Sequence, residues 1–167
     1  MNHAIIYSSR SGNTKYLAEQ LHLSISDSHC IHFGSIEQDL SDLSSADIIF
    51  AGFWTDKGDC EKDFAEFLNS LHKKKVFLFG TAGFGRSEEY FQRILNNVSS
   101  HLPTDATIIG SYMCQGKMPV SVRKRYEGMM EDNPDTSKEL IANFDEALKH
   151  PNEEDFEKLM NNVKSAL

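Results

Sequence analysis

The chain has 167 residues, with 17 Lys and Arg against 25 Asp and Glu, and a formal net charge of −8. That length suits one domain with enough core to fold unstapled. The acidic excess disfavours a nucleic-acid backbone or an anionic membrane as the main partner and leaves a basic protein partner open. The three scattered cysteines, Cys30, Cys60 and Cys114, form no C-x-x-C pair and no Cys/His zinc spacing. Neither a disulfide frame nor a structural metal is expected. The N-terminus enters an apolar strand without the basic start and apolar core of a signal peptide. The longest apolar runs are about five residues, against the ~20 needed to span a bilayer. A cytoplasmic protein is the expectation.

Apolar runs alternate with amphipathic stretches. Ala4 to Tyr7 is a short buried-type run, followed by a polar loop and an amphipathic stretch, Lys15 to Leu23, in which Leu17, Ala18 and Leu21 share a helical face. His29 to Phe33 reads as a weaker second strand and Asp47 to Phe53 as a stronger third. Phe64, Phe67, Leu68 and Leu71 then recur at helical spacing. Lys75 to Gly80 is the fourth strand, Tyr90, Phe91, Ile94, Leu95 and Val98 mark the next helix, and Ala106 to Tyr112 is the fifth strand. From Val120 to Leu167 the pattern gives two or three helices broken by Pro134 and Pro151. Asn152, followed by Glu153, Glu154 and Asp155, is a good start for the last. Five apolar runs among helices point to βαβ units and a parallel sheet covered on both faces. The helices after the fifth strand exceed what such a fold needs.

In open parallel sheets, ligands sit in the crevice at the carboxyl ends of the strands. The first loop there, Ser8-Ser9-Arg10-Ser11-Gly12-Asn13-Thr14, offers hydroxyls, an amide, a glycine and the start of a helix. Such a loop suits an anion, although an N-cap cluster without a ligand has the same composition. There is no G-x-x-x-x-G-K-[ST] and no G-x-G-x-x-G after the first strand, which argues against a Walker site and a Rossmann dinucleotide fold. A cysteine-nucleophile phosphatase loop would need a Cys and an Arg bracketing the first loop. A receiver would need an Asp where Phe53-Trp54 stands.

The run Ile5 to Thr14 resembles the phosphate loop of flavodoxins, with its [ST]-x-[ST]-G-x-T core. The resemblance spans about residues 3–115 and implies an α/β flavodoxin-like fold: a doubly wound five-stranded parallel sheet in the order 2-1-3-4-5, helices on both faces, one domain over residues 1–167 and extra helices from about 134 to 167. It implies FMN as cofactor, with Ser9, Ser11, Gly12, Asn13 and Thr14 at the phosphate. Arg10 departs from that family's neutral donors. Beside the ring it implies the loop Phe53, Trp54, Thr55, Lys57 and Gly58, then Thr81, Ala82, Gly83, Phe84 and Gly85, then Cys114 and Gln115. Trp54, the sole tryptophan, offers a stacking face, though a half-buried indole capping the sheet would look the same. Gly58 or its neighbouring peptides could change conformation to offer a carbonyl to the ring. The segments Trp-Thr-Asp-Lys-Gly, Phe-Gly-Thr-Ala-Gly, Cys-Gln-Gly-Lys-Met-Pro and His150 to Asp155 are also similar to flavodoxin-like proteins associated with bilirubin reductase in anaerobic bacteria.

Cys114 has no His or second Cys beside it in sequence, and a lone thiol at a strand end is more often inert. The seven histidines form no dyad or metal pattern. Asp56, Asp59, Glu61, Asp63, Glu88 and Glu89 follow the two ring-side loops and would surround the ring edge with negative charge, or serve simply as first-turn acids. The expected function is an FMN-binding electron carrier, monomer or homodimer, passing electrons to a partner reductase with a basic docking face. The alternatives are an FMN-dependent NAD(P)H reductase of quinones or a tetrapyrrole such as bilirubin, and a flavin-free partner-binding domain.

Overall fold

The computed structural model describes residues 1–25, 27–85 and 87–167. Five strands, β1 (His3–Tyr7), β2 (Cys30–Ser35), β3 (Ile48–Trp54), β4 (Lys75–Ala82) and β5 (Thr107–Gln115), form one parallel sheet in the order β2-β1-β3-β4-β5. The register places Tyr7 beside Gly52, Trp54 beside Thr81, and Thr81 beside Cys114. The carboxyl ends of β1, β3, β4 and β5 therefore open at one edge.

Alternation along the strands builds two cores. Ile49, Ala51 and Phe53 of β3, with Val76, Leu78 and Ala82 of β4, face the helices α2 (Lys62–Asn69) and α3 (Glu88–Ser99). Ile48 and Phe50 of β3, with Phe77 and Phe79 of β4, face α1 (Asn13–Ser24) and α6 (Glu153–Ala166). With both faces covered, the strands carry continuous apolar runs instead of a polar alternation. The connection from β2 to β3 holds no helix. Its Ile36, Leu40 and Leu43 lie against the α2/α3 side directly.

The surplus length seen in the sequence sits between β5 and α6. Leu159 and Val163 of α6 are fully buried against β4, β5 and α1, a contribution of about 1.5–3 kcal/mol each. The helix starts on a capping box: Asn152 accepts from the Asp155 N–H, and the Asp155 carboxylate accepts from the Asn152 N–H. The added pieces are α4 (Val120–Gly128) and α5 (Pro134–Ala147). They are joined by the Ser137 hydroxyl donating to the Tyr126 carbonyl, by Arg123 paired with Asp145, and by the Arg123 guanidinium over the Phe144 ring. No helix among the described residues is long and apolar enough to cross a membrane.

Candidate functional site

The first loop turns at Gly12, whose φ of +87° lies in the left-handed region that glycine enters without strain. This turn starts α1 at the carboxyl edge of the sheet. The backbone N–H groups from Ser9 to Thr14 have no protein acceptor among the described residues. Ser9 Oγ accepts from the Lys15 N–H at 3.1 Å and keeps its own proton to donate outward. Arg10, Ser11 and Gly12 are exposed. A run of free N–H donors on the positive end of a twelve-residue helix, with two hydroxyls beside it, is a cradle for an anion.

Asn13 and Thr14 behave differently from the rest of the loop. The Asn13 amide donates to the Lys117 carbonyl at 2.9 Å and to Ser11 Oγ at 3.2 Å, while its oxygen accepts from the Lys117 N–H at 3.2 Å. It ties the first loop to the segment after β5. Thr14 is fully buried, with its Oγ1 3.0 Å from the Phe53 carbonyl and 3.0 Å from Thr81 Oγ1. A hydroxyl has one proton, so Thr14 donates to Phe53 and accepts from Thr81. That side chain bolts α1 to β3 and β4, and only its backbone N–H is left for a ligand.

The ring-side loop begins at Trp54, half-buried, with the Arg10 guanidinium 5.4 Å from its ring centroid. This cation–π contact is of the exposed kind worth about 0.5–1 kcal/mol, and it links the two loops that border the crevice. The Thr55 N–H donates to the Thr81 carbonyl, whereas Thr55 Oγ1 is buried without a hydrogen-bond partner among the described residues. Lys57 and Gly58 both have positive φ, and Asp56 and Asp59 pair across them through two backbone hydrogen bonds of 2.7 and 3.0 Å. The Gly58 carbonyl accepts from the Asn97 amide of α3. Phe53 lies apart from the crevice: its ring is fully buried against Phe64, and a Cβ on Gly80 would stand 2.4 Å from it.

The third loop is fixed from below. Gln115 Nε2 donates to the Gly83 carbonyl at 2.9 Å and to Asn143 Oδ1 at 3.0 Å, and Asn143 donates to the same carbonyl at 3.1 Å. A Cβ on Gly85 would meet Gln115 and one on Gly83 would meet Met118. Ala82 is buried, and Phe84 is half-buried beside these glycines. Cys114 departs from the expected place. Cys114 and Gln115 belong to β5, which runs three residues beyond the apolar pattern that ends at Tyr112. The Cys114 thiol packs in the α1/α6 core, where burial and the nearby Asp155 raise its pKa far above the ordinary thiol value. Its side chain is buried in that core and does not line the crevice.

Several groups at this edge carry no local sequence signal. Ser8 is buried and donates to Glu61 across the mouth of the crevice. Asn143 arrives from the inserted α5, Asn97 from the last turn of α3 and His101 from just after it. Asp59 is held by His101 at 2.9 Å, so it is already paired. Asp63, Glu88 and Glu89 are exposed in the first turns of α2 and α3. Two cavities lie elsewhere. One of about 240 Å³ is lined by His3, Ile25, Ile48, Phe50 and Leu167, and one of about 350 Å³ lies near Leu40, Phe67 and Lys74. The crevice itself is an open edge.

A sequence profile described as flavodoxin domain matches residues 4–164. The chain belongs to the flavodoxin domain family. Two curated relatives carry the name flavodoxin-like domain-containing protein BilS. That of Clostridium symbiosum (strain WAL-14163) is 36% identical, covering 90% of this chain and 88% of its own. That of Clostridioides difficile (strain CD3) is 34% identical, covering 93% and 90%. Among solved structures, a flavoprotein from Lactobacillus acidophilus NCFM in complex with FMN matches with a TM-score of 0.55 and 16% identity, covering 68% of this chain and 93% of its own. A short-chain flavodoxin associated with a non-canonical PDU bacterial microcompartment matches with a TM-score of 0.54 and 20% identity, covering 86% and 99%. At those identities the structural likeness speaks for the flavodoxin fold alone, with its strand order 2-1-3-4-5.

Proposed function

We propose that this flavodoxin domain binds FMN at the crevice and passes electrons to a partner reductase. The observation that carries the reading is the run of backbone N–H groups from Ser9 to Thr14 without protein acceptors among the described residues, at the start of α1. These donors, with the Ser9 and Ser11 hydroxyls, fit a phosphomonoester, and the buried Thr55 hydroxyl, unpartnered among the described residues, fits a polar heterocycle beside Trp54. The flavoprotein from Lactobacillus acidophilus, of the same fold, is described in complex with FMN.

Bound FMN would supply the redox chemistry, and the protein would supply placement and electrostatics. Ser9, Arg10, Ser11, Gly12 and the N–H groups of Asn13 and Thr14 would hold the phosphate. Trp54, Thr55, Lys57 and Gly58 on one side, and Thr81 to Gly85 with Gln115 on the other, would border the ring. The Thr14 bolt and the Gln115–Gly83–Asn143 bonds fix those loops before any ligand arrives, which lowers the ordering cost of binding. Asp63, Glu88 and Glu89 face outward near this edge and would steer a basic partner. No general acid, base or nucleophile is needed.

Stepwise anaerobic reduction of the FMN-loaded protein tests the carrier reading. Two separate one-electron waves, and no reduction by NAD(P)H alone, are expected. The reductase reading has one observation in its favour: Asn143 sets the inserted α4–α5 pair beside the third loop, where a second planar ligand would enter. The sequence resemblance described above suggests a tetrapyrrole as that ligand. Steady NAD(P)H turnover with bilirubin or a quinone, without added partner, would favour this alternative and contradict the carrier.

A further inference from the structure

Asp59, Cys60 and His101 bring together an oxygen, a sulfur and a nitrogen donor, with the ligating atoms all within 4.8 Å of one another. They come from two separate segments, the turn after β3 and the residues that follow α3. The Asp59 carboxylate already holds two partners. His101 Nε2 lies 2.9 Å from one oxygen and 3.0 Å from the other, which also accepts from the Cys60 N–H at 2.7 Å. The Cys60 thiol lies within 4.8 Å of both the carboxylate and the imidazole. Consecutive residues seldom ligate one ion, because their side chains usually diverge. Here the Asp59 side chain folds back over the Cys60 N–H, which puts carboxylate and thiol on the same side. Cys60 is buried, while Asp59 and His101 are each about a third exposed, so an ion has a path in from solvent.

We propose that Asp59, Cys60 and His101 form a zinc site that clamps the ring-side turn to the end of α3. Tetrahedral Zn²⁺ with bonds of about 2.0–2.3 Å sets its ligands about 3.3–3.8 Å apart, so Asp59 and His101, 2.9 Å apart, spread by a few tenths of an ångström while the Cys60 thiol closes in by up to about an ångström. Zn–O, Zn–S and Zn–N bonds replace the hydrogen bonds on the Asp59 carboxylate, and water takes the fourth position. The Cys60 proton is released to solvent, together with the second imidazole proton where His101 carries one. The bound state holds a carboxylate, a thiolate, a neutral imidazole and a dication, so no net charge is left in the half-buried pocket. A mixed N/O/S set favours Zn²⁺ over Mg²⁺ or Ca²⁺. Asn97, which holds the Gly58 carbonyl, already fastens the same turn to α3 beside the site. The clamp is independent of the FMN reading.

Titration of the purified full-length chain with Co²⁺, then Zn²⁺, tests the site. One equivalent of Co²⁺ is expected to give intense tetrahedral d–d bands at wavelengths beyond flavin absorption, Zn²⁺ should bleach them, and acid should be released. Competition with a chromophoric chelator should give a Zn²⁺ Kd of about 1 μM or tighter. Cys60→Ser should weaken binding by at least about 100-fold, and His101→Gln by about 10–100-fold, whereas Cys114→Ser should change nothing. His101 is about a third exposed and outside the apolar core, so the His101→Gln variant decides the matter should Cys60→Ser fail to fold. Weak octahedral Co²⁺ spectra, or equal affinity in the wild type and His101→Gln, would mean an adventitious ion only and would overturn the proposal.

Discussion

Replacing Thr14 by Val separates the two jobs the first loop could do. Val keeps the shape and removes the hydroxyl, so the Phe53 carbonyl, which the β3–β4 ladder also bonds, loses its second donor and the Thr81 hydroxyl loses its acceptor, both at 3.0 Å in a fully buried position. A net hydrogen bond is worth about 0.5–1.5 kcal/mol, and two are lost here. The added methyl recovers part of this, and Thr81 can turn its hydroxyl elsewhere, so the expected loss is about 1–2 kcal/mol. For a chain of this length that corresponds to about 3–6 °C in Tm. Urea unfolding of the FMN-free protein, with m unchanged and the midpoint lowered, measures it. FMN affinity of the folded variant should fall less than about threefold, since the backbone N–H groups remain. A stable variant whose FMN affinity drops tenfold or more would refute the bolt and make the hydroxyl a phosphate ligand.

Gly52→Ala should destabilise by about 2–3 kcal/mol in the same assay, because its Cβ would stand 2.4 Å from the buried Phe79 ring. Gly83→Ala should cost less than about 1 kcal/mol, since the group met is the flexible end of Met118. Cys114 should resist alkylation at mildly alkaline pH in the native protein and react once denatured, as read by peptide mass spectrometry. His3 is buried with Nε2 unpartnered among the described residues, and burial with the nearby His22 and His29 lowers its pKa below the ordinary value of 6.5. The unfolded chain therefore binds a proton that the folded one refuses. The His3 contribution is fully present above about pH 6.5 and is lost as pH falls through the lowered value. His3→Leu should flatten the decline in the urea midpoint between neutral and acidic pH.

The strands and the flavodoxin order were legible because apolar runs such as Ile48 to Phe53 are long, two-faced and regularly spaced. The first loop was legible because Ser9 to Thr14 are contiguous and the chemistry needs them in one turn. Other features depend on distant partners. β5 runs on to Gln115 because its last residues pair with β4 up to Ala82, a register that no local pattern in Met113-Cys114-Gln115 displays. The surplus length lies in α4–α5, because α6 alone presents Leu159 and Val163 to the α1 side of the sheet. Asn143, Asn97 and His101 reach the crevice loops from 28 or more residues away in sequence. Arg10, whose charge departs from the neutral loop of the family, reaches across to Trp54, a contact that sequence alone does not encode.

The most direct test is a titration of the FMN-free chain with FMN and, in parallel, with riboflavin. Saturable one-to-one quenching of flavin and Trp54 fluorescence is expected with FMN, with binding at least about tenfold weaker for riboflavin, which lacks the phosphate. Equal affinity for the two flavins would contradict the anion cradle at Ser9 to Thr14. No binding of either would contradict the proposed function itself.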